Sequence, residues 1–169
     1  MQRVKPYILR QAKSLQPKQG YILLEVLLIC VLLAGLSTAA VSYGHNWQQS
    51  TRKLAVRLAT DILVADIRKL QENAMFYTNK SCNLKVSSTK DTYGIYENLK
   101  VIRSVSFPKL GYGDVYFANA LPSIQFSSLG VPNSSSSTSY ILRHRQLSNF
   151  SCIVKIEAVT GRVSINEGK

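Results

Sequence analysis

Residues Tyr21–Val41 read YILLEVLLICVLLAGLSTAAV, 21 positions carrying one charge, Glu25. A run of about 20 apolar residues spans a bilayer as a helix. Before it, residues 1–20 hold Arg3, Lys5, Arg10, Lys13 and Lys18 and no acid. Such a basic flank keeps an N-terminus in the cytoplasm. Beyond the run, Tyr43 and Trp47 stand where amphipathic rings settle at a membrane–water boundary. The chain therefore reads as a single-pass protein, N-terminus cytoplasmic and the remainder outside.

Three readings of this N-terminus compete. One is a secretory signal peptide cut near Ser37, Thr38, Ala39 and Ala40. Another is a permanent anchor. The third loses its basic leader and keeps its helix. Glu25 separates them, because a carboxylate at the centre of a spanning helix costs about 2.5–3.5 kcal/mol. A disposable signal gains nothing from that charge, whereas a helix that pairs it with a partner does.

The string Lys18-Gln19-Gly20-Tyr21-Ile22-Leu23-Leu24-Glu25 resembles the type IV prepilin signature, a glycine, an aromatic residue and a glutamate five positions into the mature chain. The resemblance implies a prepilin peptidase that cuts the Gly20–Tyr21 bond and methylates the Tyr21 amine. Glycine lets an extended leader pass closely into a protease cleft. Glu25 would neutralise the N-terminal amine of a preceding subunit in a filament, a pair far better than two unpaired charges in low dielectric. Tyr21 stands where phenylalanine is commonest. Cys30 reads as a small apolar residue within this helix.

The helix is expected to continue to about Tyr77. Val56, Leu63, Ile67, Leu70, Ala74 and Tyr77 form one stripe at helical period, widened by Leu54, Leu58 and Ile62. Arg57, Asp61, Asp66, Arg68 and Glu72 read as a solvated opposite face. Beyond Asn79 the period becomes two. Eight strands are expected, at 83–87, 93–98, 102–107, 114–118, 123–127, 140–146, 152–159 and 162–166, with Val131–Ser139 as a loop. The expectation is an α+β pilin fold, a long N-terminal helix on a mainly antiparallel sheet. Its parts are a leader (1–20), a membrane or filament-core helix (21–43), an amphipathic continuation (44–78) and a β-rich head (79–169).

Three further segments resemble the minor pilins and pseudopilins of GspH/FimT type. They are Asp66–Ala74, like that family's D-x-x-x-A-Q-x-x-A; Ile124–Gly130, like its I-x-F-x-x-x-G; and Thr160-Gly161-Arg162-Val163. Leu70 departs from the common alanine. A ComGD-like competence pilin has a similar layout, so the subfamily stays open. The resemblance implies other pilin or pseudopilin subunits and inner-membrane assembly machinery as partners, with secreted cargo or DNA as ligand.

Composition constrains the rest. The chain has 169 residues, 46% apolar, with 21 Lys+Arg against 9 Asp+Glu, a formal charge of +12. That suits one domain with a real core. Five of those basic residues lie in the leader, and without them 16 bases face 9 acids, a net +7. Arg143 and Arg145 read as sharing a strand face around His144, with Lys155, Arg162 and Lys169 following. FimT-like pilins that take up DNA imply phosphate contact by such residues, which needs no base readout. A solubilising outer strand is the other reading. Cys82 and Cys152 fall in the extracytoplasmic part, and pairing them would close a loop of about 70 residues, stabilising by roughly 2–4 kcal/mol. Two separate buried thiols are the alternative. His45 and His144 are the only histidines, and neither sits in a local catalytic motif. No enzyme, cofactor or metal is therefore expected.

Overall fold

A computed structural model of the chain describes residues 18–77, 81–119, 123–134 and 136–168. Lys169 and the leader through Pro17 lie outside these. Helix α1 runs Lys18–Phe76, and no proline interrupts it. The chain divides into two compact units, one ending at Trp47 and one beginning at Gln48.

In the first unit every described side chain from Tyr21 to Trp47 is exposed. The second unit carries the whole core. There α1 presents Val56, Ala59, Leu63, Ile67, Leu70 and Ala74, all buried, at spacings of three, four, four, three and four. Two four-stranded antiparallel sheets cover that face. The first is ordered β3(Lys100–Ser106), β2(Thr92–Glu97), β1(Cys82–Val86), β5(Ile124–Gln125). The second is ordered β4(Val115–Phe117), β6(Thr138–His144), β7(Leu147–Ile156), β8(Val163–Gly168). All eight expected strands form, most displaced by one to three residues, while β7 starts at Leu147 where 152 was expected.

An aromatic row joins the sheets. Tyr93 of β2 lies 6.0 Å from Phe107 and 6.2 Å from Phe117 of β4, Phe107 lies 5.4 Å from Phe117, and Phe117 lies 6.2 Å from Tyr140 of β6. Tilted and edge-on rings at such separations add about 0.5–1.5 kcal/mol per pair beyond their burial.

Several expectations about α1 need correction. Tyr77, Leu54 and Leu58 are exposed. At about 100° per residue the two leucines fall on the side of the helix away from the covered stripe, and Tyr77 follows the last helical residue. Asp66 is buried, not solvated. At the other end, the described helix includes Lys18, so the Gly20–Tyr21 bond lies in helical backbone.

Gln71 ties the helix to two distant turns. Its amide Nε2 donates to the Gly130 carbonyl at 2.6 Å and to the Gly161 carbonyl at 3.2 Å. Gly161 has φ +67°, and a Cβ there would collide with the Gly130 carbonyl oxygen. Replacing it with alanine forces a left-handed alanine and pushes the two turns apart. Gly161→Ala should lose at least about 2 kcal/mol, read from urea unfolding of the detergent-solubilised chain by near-ultraviolet circular dichroism of the packed aromatics.

Candidate functional site

Chemistry-bearing residues fall in three places. The first is the exposed helix of the first unit. Twelve Leu, Ile and Val side chains between Ile22 and Val41 are exposed, and the most apolar stretch has a mean hydropathy of 2.5, long and apolar enough to cross a membrane. Removing each such side chain from water gains about 1.5–3 kcal/mol. Together they outweigh the 2.5–3.5 kcal/mol that Glu25 costs at the centre of a bilayer several times over. Tyr21 and Glu25 are both exposed on this helix, four residues apart and hence on one face.

The second place is the buried carboxylate of Asp66. Tyr93 donates its hydroxyl to Asp66 Oδ2 at 2.7 Å, and Arg103 Nη1 approaches Oδ1 at 3.3 Å. Burial first, then the carboxylate beside it, pushes the Tyr93 phenol well above its ordinary value, so it stays a donor. A cavity of about 70 Å³ beside them is lined by Asp66, Lys69, Leu70, Asn73, Cys82, Ile95, Ile102 and Arg103.

The third is a cleft of about 370 Å³ between α1 and the loop before β4, lined by Thr51, Arg52, Ala55, Gly111, Tyr112, Gly113, Asp114 and His144. His144 is buried at the end of β6. Its Nδ1 accepts the Gln146 backbone N–H at 3.2 Å, which leaves the proton of the neutral ring on Nε2. Burial lowers its pKa, with the Arg52 charge adding to the effect and the Asp114 charge opposing it.

The basic residues singled out from the sequence do not form one patch. Arg143 and Lys155 are exposed on the outer face of the second sheet. Arg143 faces Ser151 and Lys155 faces Ser139, which sets them roughly 14 Å apart. Arg145 does not share their strand face. The register slips between Arg143 and His144, β6 ends there, and Arg145 stands in the turn to β7. Arg162 lies beyond the far end of β7, a ten-residue strand about 33 Å long.

The Cys82–Cys152 disulfide is not formed. Cys82 lines the cavity beside Leu70 and Asn73, whereas Cys152 sits on the other sheet against Thr60. Helix positions ten residues apart are about 15 Å apart, well beyond disulfide reach. Burial pushes the Cys152 thiol up, away from the reactive thiolate.

Sequence reading placed Asp66 on a solvated face and gave Gln71 no task. The signal for both was their position in the D-x-x-x-A-Q-x-x-A-like segment. That segment, Gly130 of the second and Gly161 of the third meet at the Gln71 amide.

Two outcomes follow from these groups. Asp66→Ala strands the buried Tyr93 hydroxyl and should cost about 2–4 kcal/mol in urea unfolding, with Asp66→Asn costing about half that. The folded protein holds His144 neutral, so between its folded pKa and the ordinary 6.5 the unfolded chain binds more protons. Stability is then complete above about pH 6.5 and declines as pH falls below it. His144→Gln should flatten the melting temperature between pH 7.5 and 5.5. Asp91 and Glu167, held below the usual carboxylate range by hydrogen bonds from Thr89 and Arg57, act only at lower pH.

No protein-family model and no curated protein matches the sequence. Among solved structures the chain is similar to the type IV minor pilin FimU of Pseudomonas aeruginosa (strain PAO1), with a TM-score of 0.53 at 11% identity, over 66% of this chain and 87% of that chain. A long N-terminal helix bearing two antiparallel sheets is therefore the pilin fold.

Proposed function

We propose that the protein is a minor pilin or pseudopilin, a non-enzymatic subunit of a type IV filament or a type II secretion pseudopilus. Prepilin peptidase cuts it between Gly20 and Tyr21 and methylates the new amine. The apolar helix holds it in the inner membrane, N-terminus cytoplasmic and head outside, until assembly moves it into a filament core. There Glu25 meets the amine of a neighbouring subunit. The observation that carries this reading is the contrast within α1. Its first half exposes an unbroken apolar surface with a single carboxylate, while its second half belongs to a head with a closed core and the pilin fold.

A DNA-uptake role draws on the same basic side chains that are strung along β7 and its flanking turns, and that spacing favours no single phosphate groove. The structural-subunit reading is preferred for that reason. Mass spectrometry of membranes should find a chain beginning at Tyr21 and heavier by one methyl group. Glu25→Leu should remain in the membrane and fail to co-sediment with sheared filaments. A chain beginning at Met1, or one cut after Ala39 or Ala40, overturns the proposal.

A further inference from the structure

The cleft between α1 and the loop before β4 holds three polar groups that the head leaves without partners. His144 is 9% exposed, and its Nδ1 is taken by the Gln146 backbone N–H. The neutral ring therefore carries its proton on Nε2, and among the described residues no acceptor receives it. That nitrogen is not sealed in the core either, so it opens on the cleft that the ring lines. Arg52 of α1 and Asp114 of the loop, both half-buried, line the same space. Among the described residues neither charged side chain forms a hydrogen bond or an ion pair. Both charges act on His144, in opposite senses. The three groups thus share one neighbourhood, while the guanidinium and the carboxylate stand too far apart to pair.

The backbone around them keeps that space open. Gly111 has φ +86°, a left-handed position that glycine adopts without strain, and it ends the short helical turn Pro108–Leu110. The Tyr112 carbonyl accepts the Val115 backbone N–H at 3.0 Å, which closes a turn with Gly113 and Asp114 at its corners. A Cβ on Gly113 would meet nothing within 4 Å, so this corner borders empty space. The Arg145 backbone N–H donates to the Asp114 carbonyl at 2.9 Å and ties the loop to the end of β6. The charge of Arg145 itself acts on Asp91. At about 370 Å³ the cleft falls within the range of small-ligand pockets, about 300–1,000 Å³.

Unpaired charges of both signs in one cleft select a ligand that carries both. A purely anionic ligand meets the Asp114 carboxylate, and a purely cationic one meets the Arg52 guanidinium. Phosphate oxygens suit the side of Arg52 and His144, because a guanidinium fork and an imidazole N–H both donate to them. A primary ammonium suits the side of Asp114, since it donates to a carboxylate with charge assistance.

We propose that this cleft binds a phosphoethanolamine group, with its phosphate toward Arg52 and the His144 Nε2–H and its ammonium toward Asp114. A phospholipid or its water-soluble glycerol ester presents that group. Thr51 and Arg52 stand four and five positions beyond Trp47 in the sequence, the ring expected at the membrane–water boundary. The lipid source rests on the membrane-anchored reading above, whereas the chemistry of the cleft does not.

The test has two arms, both on the full chain. In the first, the chain sits in nanodiscs of equal parts phosphatidylethanolamine, phosphatidylcholine and phosphatidylglycerol, and native mass spectrometry counts the lipid it retains on ejection. Phosphatidylethanolamine should be retained about tenfold over either other lipid, because choline has no N–H for Asp114 and phosphoglycerol brings no cation. Asp114→Asn and Arg52→Gln should abolish that preference. Gly113→Leu should abolish it too, by filling the cleft, while Arg143→Gln on the outer sheet face should not. In the second arm, glycerophosphoethanolamine is titrated into the detergent-solubilised chain with labelled histidines. The imidazole nitrogen signals of His144 should move and those of the other histidine, His45, should stay; glycerol phosphate should act about tenfold more weakly. Lipid preference together with a His144 response assigns the lipid as source. A His144 response without lipid preference assigns the water-soluble ester. A silent His144, an equal response to glycerol phosphate, or a lipid preference that survives Asp114→Asn and Gly113→Leu overturns the proposal. Whether the chain enters nanodiscs at all reads the anchor separately, so failure of that reading is distinguishable from failure of the cleft.

Discussion

One helical face holds the head together. Among the described residues the two sheets share no hydrogen-bonded strand pair, and both close on the stripe from Val56 to Ala74. Val56, Leu63, Ile67 and Leu70 are each worth about 1.5–3 kcal/mol when removed from water. Their gross contribution is therefore comparable with the whole net stability of a domain this size, about 5–15 kcal/mol. The aromatic row from Tyr93 to Tyr140 adds a second link between the sheets. Everything else at the helix–head seam, including the Asp66–Tyr93 bond and the Gln71 bridge, takes its geometry from that stripe.

The stripe and the strands were legible in the sequence because they are periodic. A spacing of three and four, then of two, identifies the elements without knowledge of what they touch. Pairwise facts were not legible. Nothing in the spacing of Asp66 tells that Tyr93, 27 residues on, donates to it. Leu54 and Leu58 read as widening the apolar stripe yet face away from both sheets, because about 100° per residue carries both to the far side of the helix. Arg145 fell off its strand because a one-residue slip between Arg143 and His144 is invisible in an alternating pattern. The cysteines misled for a related reason, since Cys82 opens β1 while Cys152 stands in the middle of β7, on the other sheet.

Two carboxylates of α1, Glu25 and Asp66, mark its two environments. Glu25 sits alone in an apolar run and is exposed, while Asp66 sits in a charged run and is buried. Local composition suggests the reverse in both cases. Each carboxylate finds its meaning in a partner distant in sequence, inside the head for Asp66 and on a neighbouring subunit in the proposed filament for Glu25. The cavity beside Asp66 and the cleft beside His144 both lie in the head and involve no residue of the apolar helix.

The bidentate pair of Arg57 with Glu167, at 2.8 and 2.9 Å, joins positions 110 residues apart. As a half-exposed ion pair it adds little stability. Its position has a consequence for the order of events in making the protein. Among the described residues β8 pairs with β7, and its Glu167 reaches the helix segment whose Lys53 and Arg57 lie over the Phe150 ring of β7. Arg57 precedes Glu167 by 110 positions, so the pair cannot close until β8 has been made. The clasp between α1 and β8 therefore forms after the strands that precede it, and the helix face around Arg57 is completed late.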